Sequence, residues 1–144
     1  MITVVTGNKG KAAEVAAFFD GIVEVTHTPF EAVEPQAESI SEIAREKARQ
    51  AYGTLGVPLI VDDTGLFIEA LAGFPGPYAA YVQDTIGNEG ILRAMSAIEN
   101  RRAYFATAVA YADENGISVF EGRVDGEITQ SPRGTDGFGY DPIF

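Results

Sequence analysis

Three loops hold the residues best suited to chemistry. The first is Thr6-Gly7-Asn8-Lys9-Gly10-Lys11, which joins an apolar run, Met1 to Val5, to a segment with helical spacing. A glycine-containing turn that opens a helix exposes backbone N–H groups where the helix dipole adds partial positive charge, so it suits an anion. Lys9 and Lys11 bring ammonium groups to the same spot. The turn has neither Walker A spacing nor a dinucleotide fingerprint, and a plain strand-to-helix turn with solvated lysines would look alike. The second loop is Asp62-Asp63-Thr64-Gly65, placed after the strand-like run Pro58 to Val61. Acids at the C-terminal end of a strand lie where open α/β sheets bind ligands. Two adjacent carboxylates repel, and a divalent cation would relieve the repulsion. Mg²⁺ suits such oxygens, because it keeps several waters and binds substrate phosphates. Glu34 is a further candidate ligand, and a polar turn with solvated acids is the plainer alternative.

The third loop runs from Gly134 to Pro142 and spaces Phe138 and Tyr140 between glycines, with Asp141 following. Glycine lets backbone approach a ligand closely. An aromatic ring can stack on a flat base, worth about 1–3 kcal/mol. Asp141 can accept N–H bonds from a purine edge. Two core aromatics after a turn would give the same pattern. His27 is the only histidine, so a histidine cluster is excluded and a strand-end role is expected. Cysteine is absent, which removes disulfides, thiolate zinc sites and cysteine nucleophiles.

The elements that must position these loops follow from periodicity. Lys11 to Asp20 carries Val15, Phe18 and Phe19 at helical spacing, and Ile22 to Thr26 reads as a strand. Ser39 to Tyr52 predicts a helix with Ser39 as N-cap and Glu42 three residues on, facing inward through Ile40, Ile43, Ala44, Ala48 and Ala51. Leu66 to Leu71 reads as strand or short helix, and the proline-glycine run 73–77 as irregular. Asn88 to Asn100 predicts a helix with Ile91, Leu92, Met95 and Ile98 inward. Ala103 to Ala112 and Ile117 to Val124 read as strands joined by a turn at Asn115-Gly116. Strands alternating with helices argue an α/β fold, and the hairpin argues a mixed sheet.

Residues 1–144 suit one domain, with no linker or repeat to divide them. No apolar run approaches the ~20 residues that span a bilayer. The opening residues lack a signal-peptide pattern, so a cytoplasmic location is expected. The net charge of −11 disfavours nucleic acid polymers and anionic membranes as partners.

Taken together, the motifs resemble the inosine/xanthosine triphosphate pyrophosphatases. That family's opening T/S-x-N-x-x-K-x-x-E stands here as Thr6, Asn8, Lys11 and Glu14, and its central motif as Asp62-Asp63-Thr64-Gly65-Leu66. Gly73-Phe74-Pro75-Gly76-Pro77-Tyr78, Glu34-Pro35-Gln36 and the base-binding Gly137 to Phe144 follow the same pattern. The resemblance implies two α/β lobes around a long mixed β-sheet, a central nucleotide cleft and a homodimer. It implies a catalytic Asp63, with Asp63, Glu34 and Asp62 holding Mg²⁺. Thr6, Gly7, Asn8, Lys9, Gly10 and Lys11 would hold the triphosphate, with Lys47 as a weaker phosphate candidate. Thr64 would touch the substrate, Phe138 would stack on the base, and Gly139, Tyr140 and Asp141 would complete its pocket. The family continues past this point with a lysine and a Ser-His-Arg motif, so the chain is expected to be truncated at its C-terminus.

The expected reaction is attack of a metal-activated water on the α-phosphorus of ITP, dITP or XTP, leaving a monophosphate and pyrophosphate. Asp63 serves as general base or as metal ligand. Rival readings are a Maf-like pyrophosphatase of other nucleotides, a non-catalytic nucleotide-binding protein, and a structural or interaction protein.

Overall fold

A computed structural model describes residues 1–144. The chain divides into two compact units: Met1–Asp63 with Ala108–Glu121, and Thr64–Thr107 with Gly122–Phe144. No helix is long and apolar enough to cross a membrane.

The first unit starts with β1 (Ile2–Val5), α1 (Lys9–Phe18), β2 (Val25–Thr28) and α2 (Ile40–Leu55). It continues into the opening half of β3 (Leu59–Ile68). β1 pairs in parallel with β2 on one side and with β3 on the other, through Ile2↔Val25 and Thr3↔Leu59. The crossovers β1–α1–β2 and β2–α2–β3 therefore run in opposite directions along the sheet. Right-handed connections then put α1 and α2 on opposite faces. Between β1 and β3 the direction of connection reverses, and such a switch point opens a crevice at the strands' carboxyl ends. Parts of β5 (Arg102–Asp113) and β6 (Gly116–Glu127) complete this unit, in the order β2-β1-β3-β5-β6. The two-residue connection between β5 and β6 permits only antiparallel pairing. Asp113 Oδ1 accepts the Asn115 N–H at 2.8 Å within that turn.

α2 forms as its sequence dictates. Ser39 Oγ accepts the Glu42 N–H at 3.3 Å at its start, and Gly56 closes it at a φ of 63° with its N–H on Tyr52 O. Ala44, Ala48 and Ala51 lie fully buried on one face, so the helix can pack closely. α1 departs from expectation, for none of its residues is buried and Phe18 is 73 % exposed. It packs on β1 and the edge strand β2, which is only half-buried itself and covers little.

In the second unit the far half of β3 pairs antiparallel with the two-residue β4 (Pro75–Gly76), Leu66 facing Gly76. Gly65 permits this approach: a Cβ there would lie 2.5 Å from the Phe67 ring and 2.9 Å from Gly76 O. α3 (Ala79–Thr85) and α4 (Gly87–Ala94) replace the single helix predicted over 88–100. Ile86 lies between the two, Gly87 opens α4 at a φ of 62°, and α4 ends at Ala94, three residues before Ala97 at 61°. The core gathers Leu66, Ile68, Ile91, Met95, Ile128 and Ile143.

Candidate active site

The paired aspartates do not form a turn. β3 runs unbroken from Leu59 to Ile68 and carries both. Successive strand side chains point to opposite faces, so Asp62 and Asp63 meet different lysines. Asp62 Oδ2 takes Lys11 Nζ at 2.5 Å, on the side of α1. Asp63, 7 % exposed, meets Lys47 of α2, whose Nζ lies 3.5 Å from Asp63 Oδ1. Strand alternation sends the Asp62 carboxylate to Lys11, while Asp63 and Glu34 share Lys47.

Lys47, the weaker phosphate candidate of the sequence, stands at the centre of this cluster. Besides Asp63, Nζ reaches Glu34 Oε1 at 3.1 Å and donates to Asp62 O at 3.0 Å. Burial would lower its pKa, but the charges of Asp63 and Glu34 outweigh that and raise it, so it stays protonated. Gln50 lies one helical turn on, on the same face. Its side-chain amide accepts the Val33 N–H at 2.8 Å and donates to Val33 O at 2.9 Å. That clasp fixes the loop beside Glu34. Sequence reasoning missed Gln50, although its i+3 spacing from Lys47 is the signal that could have found it.

Asp63 is pushed up to about 6. Burial is the main cause and the Glu34 charge adds to it, against the pull of Lys47 and Lys11. Its Oδ2 is buried with no hydrogen-bond partner.

The turn before α1 is more self-contained than a free anion nest. Asn8 caps the helix, Oδ1 accepting from the Gly10 and Lys11 N–H groups at 2.9 and 3.2 Å. Thr6 Oγ1 accepts the Asn8 N–H, and His27 Nε2 sits 2.8 Å from Thr6 O, a strand-end role as expected. A phosphate must therefore use the remaining amides or displace the Asn8 side chain. Lys9, at the first helical position, has no intrahelical acceptor for its N–H. A cavity of about 310 Å³ opens here, lined by Val5, Thr6, Gly7, Phe30, Glu34, Lys47 and Val61 among others.

Mg²⁺ fits the residues present in a limited way. The orphaned Asp63 Oδ2 and the Glu34 carboxylate offer oxygens, and Mg²⁺ commonly takes one or two carboxylates, with waters and substrate phosphates filling the rest. No group of three or more acids or histidines is arranged to hold a metal ion by itself.

The remaining predicted residues lie in the second unit. Thr64 Oγ1 is 2.9 Å from Thr107 Oγ1. Phe138 is 39 % exposed, so part of its ring is open. Asp141 Oδ2 accepts the Phe138 N–H at 2.8 Å, which engages the carboxylate in its own turn. Gly139 O accepts from Asn88 at 3.0 Å and Gln83 at 3.4 Å. Tyr140 is core: it is 6 % exposed, its hydroxyl donates to Ala79 O at 2.6 Å, and burial pushes its pKa up to about 12. That packing holds the Tyr140 ring in the core and leaves its backbone beside Gly139.

An α/β protein with lysines and carboxylates gathered at a sheet switch point is the class that fold and site define. The chain belongs to the Ham1 family, whose model matches residues 2–144. It is 50% identical over 143 residues to a dITP/XTP pyrophosphatase of Methanopyrus kandleri, covering 96% of this chain and 75% of the relative. It is 41% identical over 144 residues to inosine triphosphate pyrophosphatase 1 of Trypanosoma cruzi, covering 99% of this chain and 74% of that one. Among solved structures, a HAM1 protein from Coxiella burnetii superposes with a TM-score of 0.83 at 31% identity, covering 100% of this chain and 81% of that one.

Proposed function

We propose that this chain hydrolyses the deaminated purine nucleotides dITP, ITP and XTP to the monophosphate and pyrophosphate, with Mg²⁺. Membership of the Ham1 family and relatives named for dITP, XTP and inosine triphosphate support the substrate class. One observation carries the chemistry: a buried carboxylate with an unpartnered oxygen, Asp63, beside Glu34 and the ammonium of Lys47.

Asp63 acts as general base, and a pKa near 6 leaves it ionised yet basic at neutral pH. It takes a proton from water as the water oxygen bonds to the α-phosphorus. The bond from that phosphorus to the bridging oxygen breaks, and pyrophosphate departs with the electron pair. Lys11 and Lys47, with the Thr6 to Lys9 turn, stabilise the charge on the departing group. When bound, Mg²⁺ lowers the pKa of a coordinated water and offsets triphosphate charge. Glu34 and Asp63 would hold it. Phe138 and the Gly139 to Asp141 backbone are the candidate base-binding segment, and Thr64 a candidate substrate contact. The reading includes a cytoplasmic homodimer, which light scattering and cell fractionation test.

The decisive assay compares dITP, XTP, dATP and dTTP at equal Mg²⁺, following pyrophosphate release. Preference for dITP and XTP supports the reading. Preference for dTTP would favour a Maf-like activity, and binding without turnover a regulator.

A further inference from the structure

Lys47 stands where a cation would stand. Its ammonium has three oxygen neighbours, Glu34 Oε1 at 3.1 Å, Asp63 Oδ1 at 3.5 Å and Asp62 O at 3.0 Å. Its side chain is 18 % exposed, so the charge is held inside the cluster. No further acid or histidine completes a metal-binding group. Two carboxylates with one ammonium leave a net single negative charge, a poor attraction for a divalent ion.

We propose that Lys47 fills the cation position between Glu34 and Asp63 in the nucleotide-free protein, so that a divalent ion binds weakly alone and enters with the triphosphate. This rests on the functional reading above only for the identity of the anion. The triphosphate brings what the cluster lacks: oxygens for the metal, and a second anionic partner for the lysine. Metal and nucleotide then strengthen one another's binding, and by linkage the coupling is reciprocal. Lys47 thus sets the order of assembly before it takes up the phosphate contact proposed above.

The sign of the test is fixed by charge. Removing the ammonium takes the cluster from one net negative charge to two, and neighbouring unit charges a few ångströms apart interact strongly even near a surface. Mn²⁺ binding to the full chain, without nucleotide and at mildly alkaline pH, can be followed by electron paramagnetic resonance. Lys47→Met should bind Mn²⁺ at least about tenfold more tightly than the parent. Adding Glu34→Gln to Lys47→Met should remove the gain. Lys47→Gln provides a second neutral variant should the first fail to fold, with circular dichroism as the check. A folded Lys47 variant binding Mn²⁺ no better than the parent would overturn the proposal. So would a gain that survives Glu34→Gln. The parent's dITP hydrolysis is measured in parallel: the Mn²⁺ gain without hydrolysis sinks the functional reading alone, and hydrolysis without the gain sinks this inference alone.

Discussion

Replacing Asp63 with asparagine should move the stability difference toward the variant as pH rises from acid to neutral, while removing the activity. Asp63 is 7 % exposed, and its pKa rises from 3.8 to about 6 on folding. The native state thus holds this proton more tightly than the unfolded state does. Between about pH 4 and about pH 6 the folded chain binds more protons than the unfolded one, so stability falls as pH rises through that window. Above it the full cost is present: roughly two pKa units at 1.36 kcal/mol each, or about 3 kcal/mol. Asparagine does not titrate, so the variant escapes this cost. The amide brings a pH-independent penalty or gain of its own, which cancels when two pH values are compared. Urea unfolding of both proteins in chelator should therefore show the stability difference moving toward the variant by about 2.5 kcal/mol from pH 4 to pH 8, since the unfolded carboxyl is already partly ionised at the lower value. The raised pKa of Lys47 acts only in the alkaline range and leaves the window untouched. A difference that is flat with pH, or that moves toward the parent, would refute the reasoning and show that Asp63 is held as a stabilised carboxylate.

Asp62→Asn should leave the Mg²⁺ concentration for half-maximal activity within about twofold of the parent, because its carboxylate meets Lys11 rather than the Asp63 cluster; a metal titration of the dITP reaction checks this, and a large shift would restore Asp62 as a ligand. Gln50→Ala should cost about 1 kcal/mol of stability and lower kcat/KM by roughly tenfold, through loss of the clasp on Val33; Gln50→Glu, which keeps only the accepting half, should fall between in steady-state kinetics. Gly65→Ala should destabilise by about 1–3 kcal/mol in urea unfolding, since its Cβ would meet the Phe67 ring and Gly76 O.

What the sequence made legible is what short-range chemistry decides. Ser39 caps α2 because its hydroxyl needs only the N–H three residues on, and Asn115-Gly116 turns the hairpin for similarly local reasons. The sequence reads Thr6 to Lys11 as an open anion site before a helix from Lys11, whereas Asn8 caps a helix that starts at Lys9 and its own oxygen occupies two of the amides. The sequence reads the two aspartates as following a strand that ends at Val61, whereas β3 continues through them between β1 and β5, a matter of long-range pairing. The three oxygen neighbours of Lys47 come from parts of the chain distant in sequence, so no local pattern announces them. Tyr140 reads like a ligand-facing aromatic until its hydroxyl is found on Ala79 O, a contact 61 residues away in sequence. Motifs thus pointed to candidate residues, while tertiary packing set which side chains meet.

The central claim is that water activated at Asp63 attacks the α-phosphorus. Turnover of dITP in ¹⁸O-labelled water, with products resolved by mass spectrometry, tests it directly. The account predicts label in the monophosphate, unlabelled pyrophosphate, and no turnover by Asp63→Asn. Label in pyrophosphate or inorganic phosphate, or undiminished turnover by the variant, would contradict it.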